Sequence, residues 1–119
     1  MLFRSITDVP KEFGGPGDQW SPEALLIAAV ADCFVLTFRA IAAPSRVVWH
    51  ALDCEATGTL ERVDRTPQFT HIHLTVRISV PDDMEEQKVL RVLKKAEDSC
   101  LITNSLTATV HLNAEITRQ

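Results

Sequence analysis

The feature that most limits how this chain can fold is a helix with no polar face. Ser21-Pro22-Glu23 has the marks of a helix start. A serine hydroxyl can accept from a first-turn N–H, proline suits the first helical position, and a glutamate complements the positive end of the dipole. Pro44 sets the end, so the expected helix covers residues 21–43. Within it Leu25, Leu26, Ile27 and Val30 stand among Ala24, Ala28, Ala29 and Ala31. Every face is apolar, so every face must be covered. The 119 residues make one ordinary domain, too small to enclose ~30 Å of such helix unaided. A homodimer is the expected solution, with a second copy on the open side and the small residues allowing close approach.

Composition narrows the alternatives. Hydrophobic residues make up 45% and charged residues 24%, as in a globular protein. Twelve Lys and Arg against sixteen Asp and Glu give a net charge of −4. No basic cluster offsets it, so no nucleic-acid partner is expected. The longest apolar run, 24–38, is interrupted by Asp32 and followed by Arg39. It falls short of the ~18–20 residues of a membrane span, so no membrane association is expected. The N-terminus, Met1-Leu2-Phe3-Arg4, shows no signal-peptide pattern. Three cysteines without CxxC or zinc spacing point to a reducing, cytoplasmic setting rather than a disulfide framework.

The remaining segments read as α+β with a mostly antiparallel sheet, all in one domain, 1–119. Residues 1–20 carry Pro10 and the run Gly14-Gly15-Pro16-Gly17, a loop whose spacing fits no phosphate-binding motif. A β-ribbon is expected over 46–80. Leu52, Cys54, Ala56, Gly58 and Leu60 alternate with polar residues, Asp64-Arg65-Thr66-Pro67 turns the chain, and Ile72, Leu74, Val76, Ile78 and Val80 alternate again. An amphipathic helix over 82–100 places Val89, Val92, Leu93, Ala96 and Cys100 on one face. A last strand, 106–117, alternates Leu106, Ala108, Val110, Leu112, Ala114 and Ile116 with polar residues.

Three groups could carry chemistry. Cys33 lies mid-helix, Cys54 mid-strand and Cys100 at a helix end beside Thr103-Asn104-Ser105. Free cysteine most often fills core, which is the first reading for each, although a thiol beside a loop is easier to bring to another thiol. His71 and His73 share a strand face, but no third ligand stands near in sequence, so no metal and no cofactor are expected. Asp32, inside the apolar helix, must find a partner, reach water or take a proton. If it stood ionised beside Cys33 it would hold back thiolate chemistry.

Taken together, Pro10-Lys11-Glu12-Phe13-Gly14-Gly15-Pro16-Gly17, Ser21-Pro22-Glu23-Ala24-Leu25-Leu26 and Ala31-Asp32-Cys33-Phe34 resemble the OsmC/Ohr family, the osmotically induced protein C and organic hydroperoxide resistance proteins. Ala96-Glu97-Asp98-Ser99-Cys100-Leu101-Ile102 agrees with that family's second helix. The resemblance implies an OsmC-like fold, with an antiparallel sheet packed on a long buried central helix in an intertwined homodimer. It also implies a thiol peroxidase acting on organic hydroperoxides in oxidative-stress defence. Cys33 would be the peroxidatic thiol, Cys100 the resolving thiol, and an external dithiol the reductant, a role lipoylated proteins fill for some members. Glu23 matches a family glutamate ten residues before the peroxidatic cysteine. That is ~15 Å along a helix, so a part at Cys33 would be played across the dimer. The family's upstream arginine, which stabilises the thiolate, has no aligned counterpart, because Arg4 does not fall in its place. Without a cation, Cys33 is expected to keep a pKa near ~8.5 or above. A second reading is therefore an OsmC-fold dimer without efficient peroxidase activity that binds a small apolar ligand.

Overall fold

Ser21 caps the first helix with its side chain. Its backbone is extended (φ −106°, ψ 158°), and its hydroxyl accepts from the Ala24 N–H at 3.0 Å. The computed structural model describes residues 21–119; the Gly-Pro loop of 14–17 and Arg4 lie outside them. With Pro22 in the first turn, helix α1 runs Pro22–Ala42. Pro44 follows, Arg46 takes a left-handed φ of 59°, and the Val47 N–H returns to the Ala42 carbonyl at 3.0 Å. The chain then forms β1 (Ala51–Val63), β2 (Thr66–Val80), α2 (Glu86–Ser99), α3 (Leu101–Asn104) and β3 (Thr109–Arg118).

The sheet has the order β1-β2-β3. The pair β1–β2 is antiparallel through a two-residue turn at Asp64 and Arg65, with φ of 50° and 69°. Positive φ at both central residues is the hairpin turn whose twist matches its strands. The turn is thus tighter than the four residues expected, and strand pairing resumes at Thr66. The pair β2–β3 is parallel, with His73 opposite His111 and Ile78 opposite Ile116. The expected, mostly antiparallel sheet is thus mixed: β3 pairs in parallel, because α2 and α3 carry the chain back before it begins, as a parallel pairing requires. Three boundaries also shift. The ribbon starts at Ala51 rather than 46, α2 starts at Glu86 after a turn through Pro81–Met84, and β3 starts at Thr109 rather than 106.

One core joins α1, the sheet and α2. Val30, Phe34, Phe38 and Ala42 form a stripe four residues apart on α1. They meet Ile72, Leu74, Val76, Ile78 and Val80 of the central strand and Val89, Val92, Leu93 and Ala96 of α2. Phe38 packs edge-on against Trp49, with centroids 5.8 Å apart. At Gly58 a Cβ would stand 2.6 Å from the Phe69 ring and 2.7 Å from Ile27, so only glycine allows this close approach of helix and ribbon. On the outer sheet face Arg77 reaches Asp53, Glu55 and Glu115 at 3.3, 3.5 and 3.2 Å, linking the centre strand to both edges. These pairs are exposed, so solvent screening leaves each a minor contribution to stability.

A single chain buries α1 on one stripe only. Leu36 on another face stays 60% exposed, so the described residues do not enclose the apolar helix on every side. Its 21 residues also meet the length and composition of a membrane span, unlike the shorter run expected, because Asp32 and Arg39 do not interrupt the helix. In this fold that helix instead lays its aromatic stripe on the sheet.

Candidate active site

Cys33 is brought to Cys100 by the break between α2 and α3. Cys100 ends α2 and precedes α3 in an extended conformation (φ −67°, ψ 113°) and is fully buried. The break has a chemical consequence. The first N–H groups of a helix have no partner inside it, so interrupting α2 leaves the amides of Leu101 and Ile102 available as donors. Both amides, together with the Cys100 side chain, lie near enough to Cys33 to favour its thiolate. The Thr37 hydroxyl lies one turn on along α1, at 3.9 Å from the Cys33 sulfur.

These contacts set the character of the thiol. Burial alone would push Cys33 up, since it disfavours the thiolate. The Ile102 amide, the Cys100 thiol, the Thr37 hydroxyl and the Leu101 amide outweigh it, and the Cys33 pKa is lowered. The expectation of an ordinary or raised pKa without a cation is therefore corrected: neutral donors favour the thiolate here. Asp32 is exposed on the neighbouring helical position. It reaches water and is not among the groups acting on Cys33.

Cys54 behaves differently. It lies half-buried on the inner face of β1, and burial, then the Asp53 charge, then Cys100 push it up to about 11. An unfolded thiol ionises near ~8.5, so between that pH and about 11 the unfolded state releases a proton that native Cys54 keeps. Stability from this group is full below the unfolded pKa and lost as pH rises through the native one. Urea titrations at increasing alkaline pH are expected to show a steeper loss of stability in the wild type than in Cys54→Ala. Equal slopes would remove Cys54 from that role.

Glu23 stands apart from the thiols of its own chain. It lines a cleft of about 420 Å³ with Leu60, Arg62, Pro67, Gln68 and Phe69 at the hairpin end of the ribbon. Its Oε2 is buried and, among the described residues, has no hydrogen-bond partner. Of the three site residues expected from sequence, the fold brings Cys33 and Cys100 together and puts Glu23 elsewhere in the chain. Sequence reasoning missed the Leu101 and Ile102 amides, because backbone donors leave no residue-type signature. The only available signal was the helix break beside Cys100.

The profile of the OsmC-like proteins matches residues 15–115. The chain belongs to the OsmC-like family. An uncharacterised Bacillus subtilis protein, YmaD, is 28% identical over 117 residues, covering 96% of this chain and 77% of that protein. Among solved structures, an OsmC-like protein of unknown function from Vibrio cholerae matches with a TM-score of 0.73 at 23% identity over 82% of this chain. This OsmC-like chain spans 65% of that protein's length. An organic hydroperoxide resistance protein OsmC from Legionella pneumophila matches with a TM-score of 0.73 at 20% identity, covering 92% of this chain and 77% of that one. The α+β architecture, with its central helix laid on the sheet, is the OsmC fold.

Proposed function

We propose that this OsmC-like protein is a thiol peroxidase that reduces organic hydroperoxides through Cys33 and Cys100. The observation that carries the reading is the Cys33 thiol in contact with Cys100 and with the Leu101 and Ile102 amides, its pKa lowered by them. The Legionella pneumophila relative in fold is named for organic hydroperoxide resistance, which agrees with that chemistry.

The Cys33 thiolate attacks the distal oxygen of the hydroperoxide and the O–O bond breaks. Sulfur gains OH, becoming a sulfenic acid, and the leaving alkoxide takes a proton to give the alcohol. The Cys100 sulfur then attacks the sulfenic sulfur, the S–O bond breaks, and water leaves as the disulfide forms. An external dithiol, such as a lipoyl group, returns both cysteines to thiols by two exchanges and is itself oxidised to a disulfide. The apolar helix around Cys33 favours alkyl over hydrogen peroxide substrates.

The working unit in this reading is a homodimer in the cytoplasm. A second copy covers Leu36 and the open faces of α1, and its Glu23 approaches Cys33 from across the interface. The experiment is thiol mapping by mass spectrometry after substoichiometric cumene hydroperoxide. Loss of two hydrogens, confined to a linked Cys33–Cys100 peptide, is expected. Unaltered thiols would overturn the proposal in favour of an OsmC-fold dimer that binds a small apolar ligand, for which the Glu23 cleft offers the apolar walls of Leu60, Pro67 and Phe69.

A further inference from the structure

Helix α1 carries a single hydroxyl side chain, Thr37. It stands four residues after Cys33, so the two share a face one turn apart, and both are half-buried. Serine and threonine in helices commonly turn the hydroxyl back to the carbonyl four residues before, as Ser105 does to Leu101 at the end of α3, at 2.9 Å. Thr37 instead faces the Cys33 sulfur, at 3.9 Å. A β-branched residue is also a poorer helix former than the alanines and leucines around it. Valine would fill the same volume, so packing does not call for an oxygen here.

We propose that the Thr37 hydroxyl holds the hydroperoxide in line with the Cys33 sulfur and stabilises the leaving oxygen. This deepens the peroxidase reading above and rests on it. The spacing suits one oxygen atom between the two side chains. An oxygen ~3.2 Å from the sulfur at the point of attack and ~2.8 Å from the hydroxyl closes a triangle on the observed 3.9 Å, with about 80° at that oxygen. It is the distal oxygen, and the leaving oxygen stands next to it beside the same hydroxyl. As sulfur bonds to the distal oxygen, the electron pair of the O–O bond passes to the alkyl-bearing oxygen, which takes over the negative charge. A hydroxyl turns freely about its C–O bond, so Thr37 donates to the thiolate before attack and to the leaving oxygen during it. A donor aimed where charge develops lowers the barrier. The Leu101 and Ile102 amides near the sulfur are held by the backbone and do not follow the charge. Thr37 keeps its own proton; water protonates the alkoxide to the alcohol, and hydroxide passes to solvent. Asp32 points to water and Glu23 lines a cleft elsewhere in the chain. Among the described residues, Thr37 thus supplies the side-chain oxygen that acts on this thiol.

The test compares Thr37→Val, which keeps the shape, with Thr37→Ser, which keeps the hydroxyl. Reduced protein is mixed with cumene hydroperoxide, and modification of the Cys33 peptide is timed across pH up to the plateau at which this thiol is fully ionised. The same profile is taken with iodoacetamide, which alkylates a thiolate and has no peroxide oxygen to hold. Thr37→Val is expected to lower the peroxide plateau about tenfold or more and to leave the iodoacetamide plateau within about twofold. Thr37→Ser should restore the peroxide plateau to within about threefold of the wild type. A hydroxyl that served only the thiolate would shift the midpoint of both profiles and lower neither plateau. That result overturns the inference and leaves the peroxidase reading standing. Equal loss with both reagents overturns it likewise, because the threonine then serves structure. A wild-type Cys33 that is alkylated yet inert to the hydroperoxide overturns the peroxidase reading, and this inference with it.

Discussion

Cys33→Ser is expected to lower turnover of an organic hydroperoxide by about a thousandfold or more, to the uncatalysed background. The Leu101 and Ile102 amides and the Thr37 hydroxyl remain in that variant, but a serine hydroxyl does not ionise at neutral pH to use them. Cys100→Ser should fail differently. Its first turnover proceeds, the Cys33 sulfenic acid persists without a resolving thiol, and further peroxide carries it to the sulfinic acid. Stopped-flow measurement under single-turnover conditions, followed by intact mass, distinguishes the two. The wild-type rate should rise with pH as Cys33 deprotonates, with a midpoint below that of an ordinary thiol, because its pKa is lowered. Full activity in Cys33→Ser would move the chemistry to another residue.

Phe34→Ala is expected to destabilise the fold by about 3–5 kcal/mol. Phe34 is fully buried in the middle of the α1 stripe that faces the central strand. Its loss removes apolar burial and leaves a cavity that the sheet on one side and α2 on the other cannot readily close. Urea denaturation at several protein concentrations measures it. Leu36→Ala is the control, since Leu36 is 60% exposed in the protomer. At concentrations where the chain is monomeric that change should cost less than about 0.5 kcal/mol. A larger cost that grows with concentration is the mark of a second copy seated on Leu36. A loss under about 1 kcal/mol for Phe34→Ala would contradict the packing of α1 on the sheet.

What the sequence made legible was mostly local. The Ser21 cap, Pro22 and the apolar run located α1 to within a residue at each end, because capping and helical period are read within a few turns. Alternation found the inner faces of all three strands. It could not show that β3 runs parallel to β2, since a period of two specifies a face and not a partner or a direction. The start of α2 was placed early because Pro81, Asp82 and Asp83 suit a turn as well as a helix start. Two groupings of residues depend on long-range contacts. The Ile102 and Leu101 amides reach Cys33 only through the α2–α3 break. His111, without a local partner, joins His71 and His73 only through the parallel register. Of the three outcomes open to Asp32 in the sequence, the fold takes the second: a rotation of ~100° per residue turns it to water.

The thiol and its activating groups are far apart in the order of synthesis. A chain leaving the ribosome presents Cys33 long before Cys100, Leu101 and Ile102 exist. Until the α2–α3 break is made and folded against α1, the thiol has only Thr37 beside it and the chemistry of an ordinary cysteine. In the proposed chemistry, reactivity therefore arrives together with the resolving thiol, and a growing or truncated chain does not expose an activated sulfur that has nothing to protect it from over-oxidation.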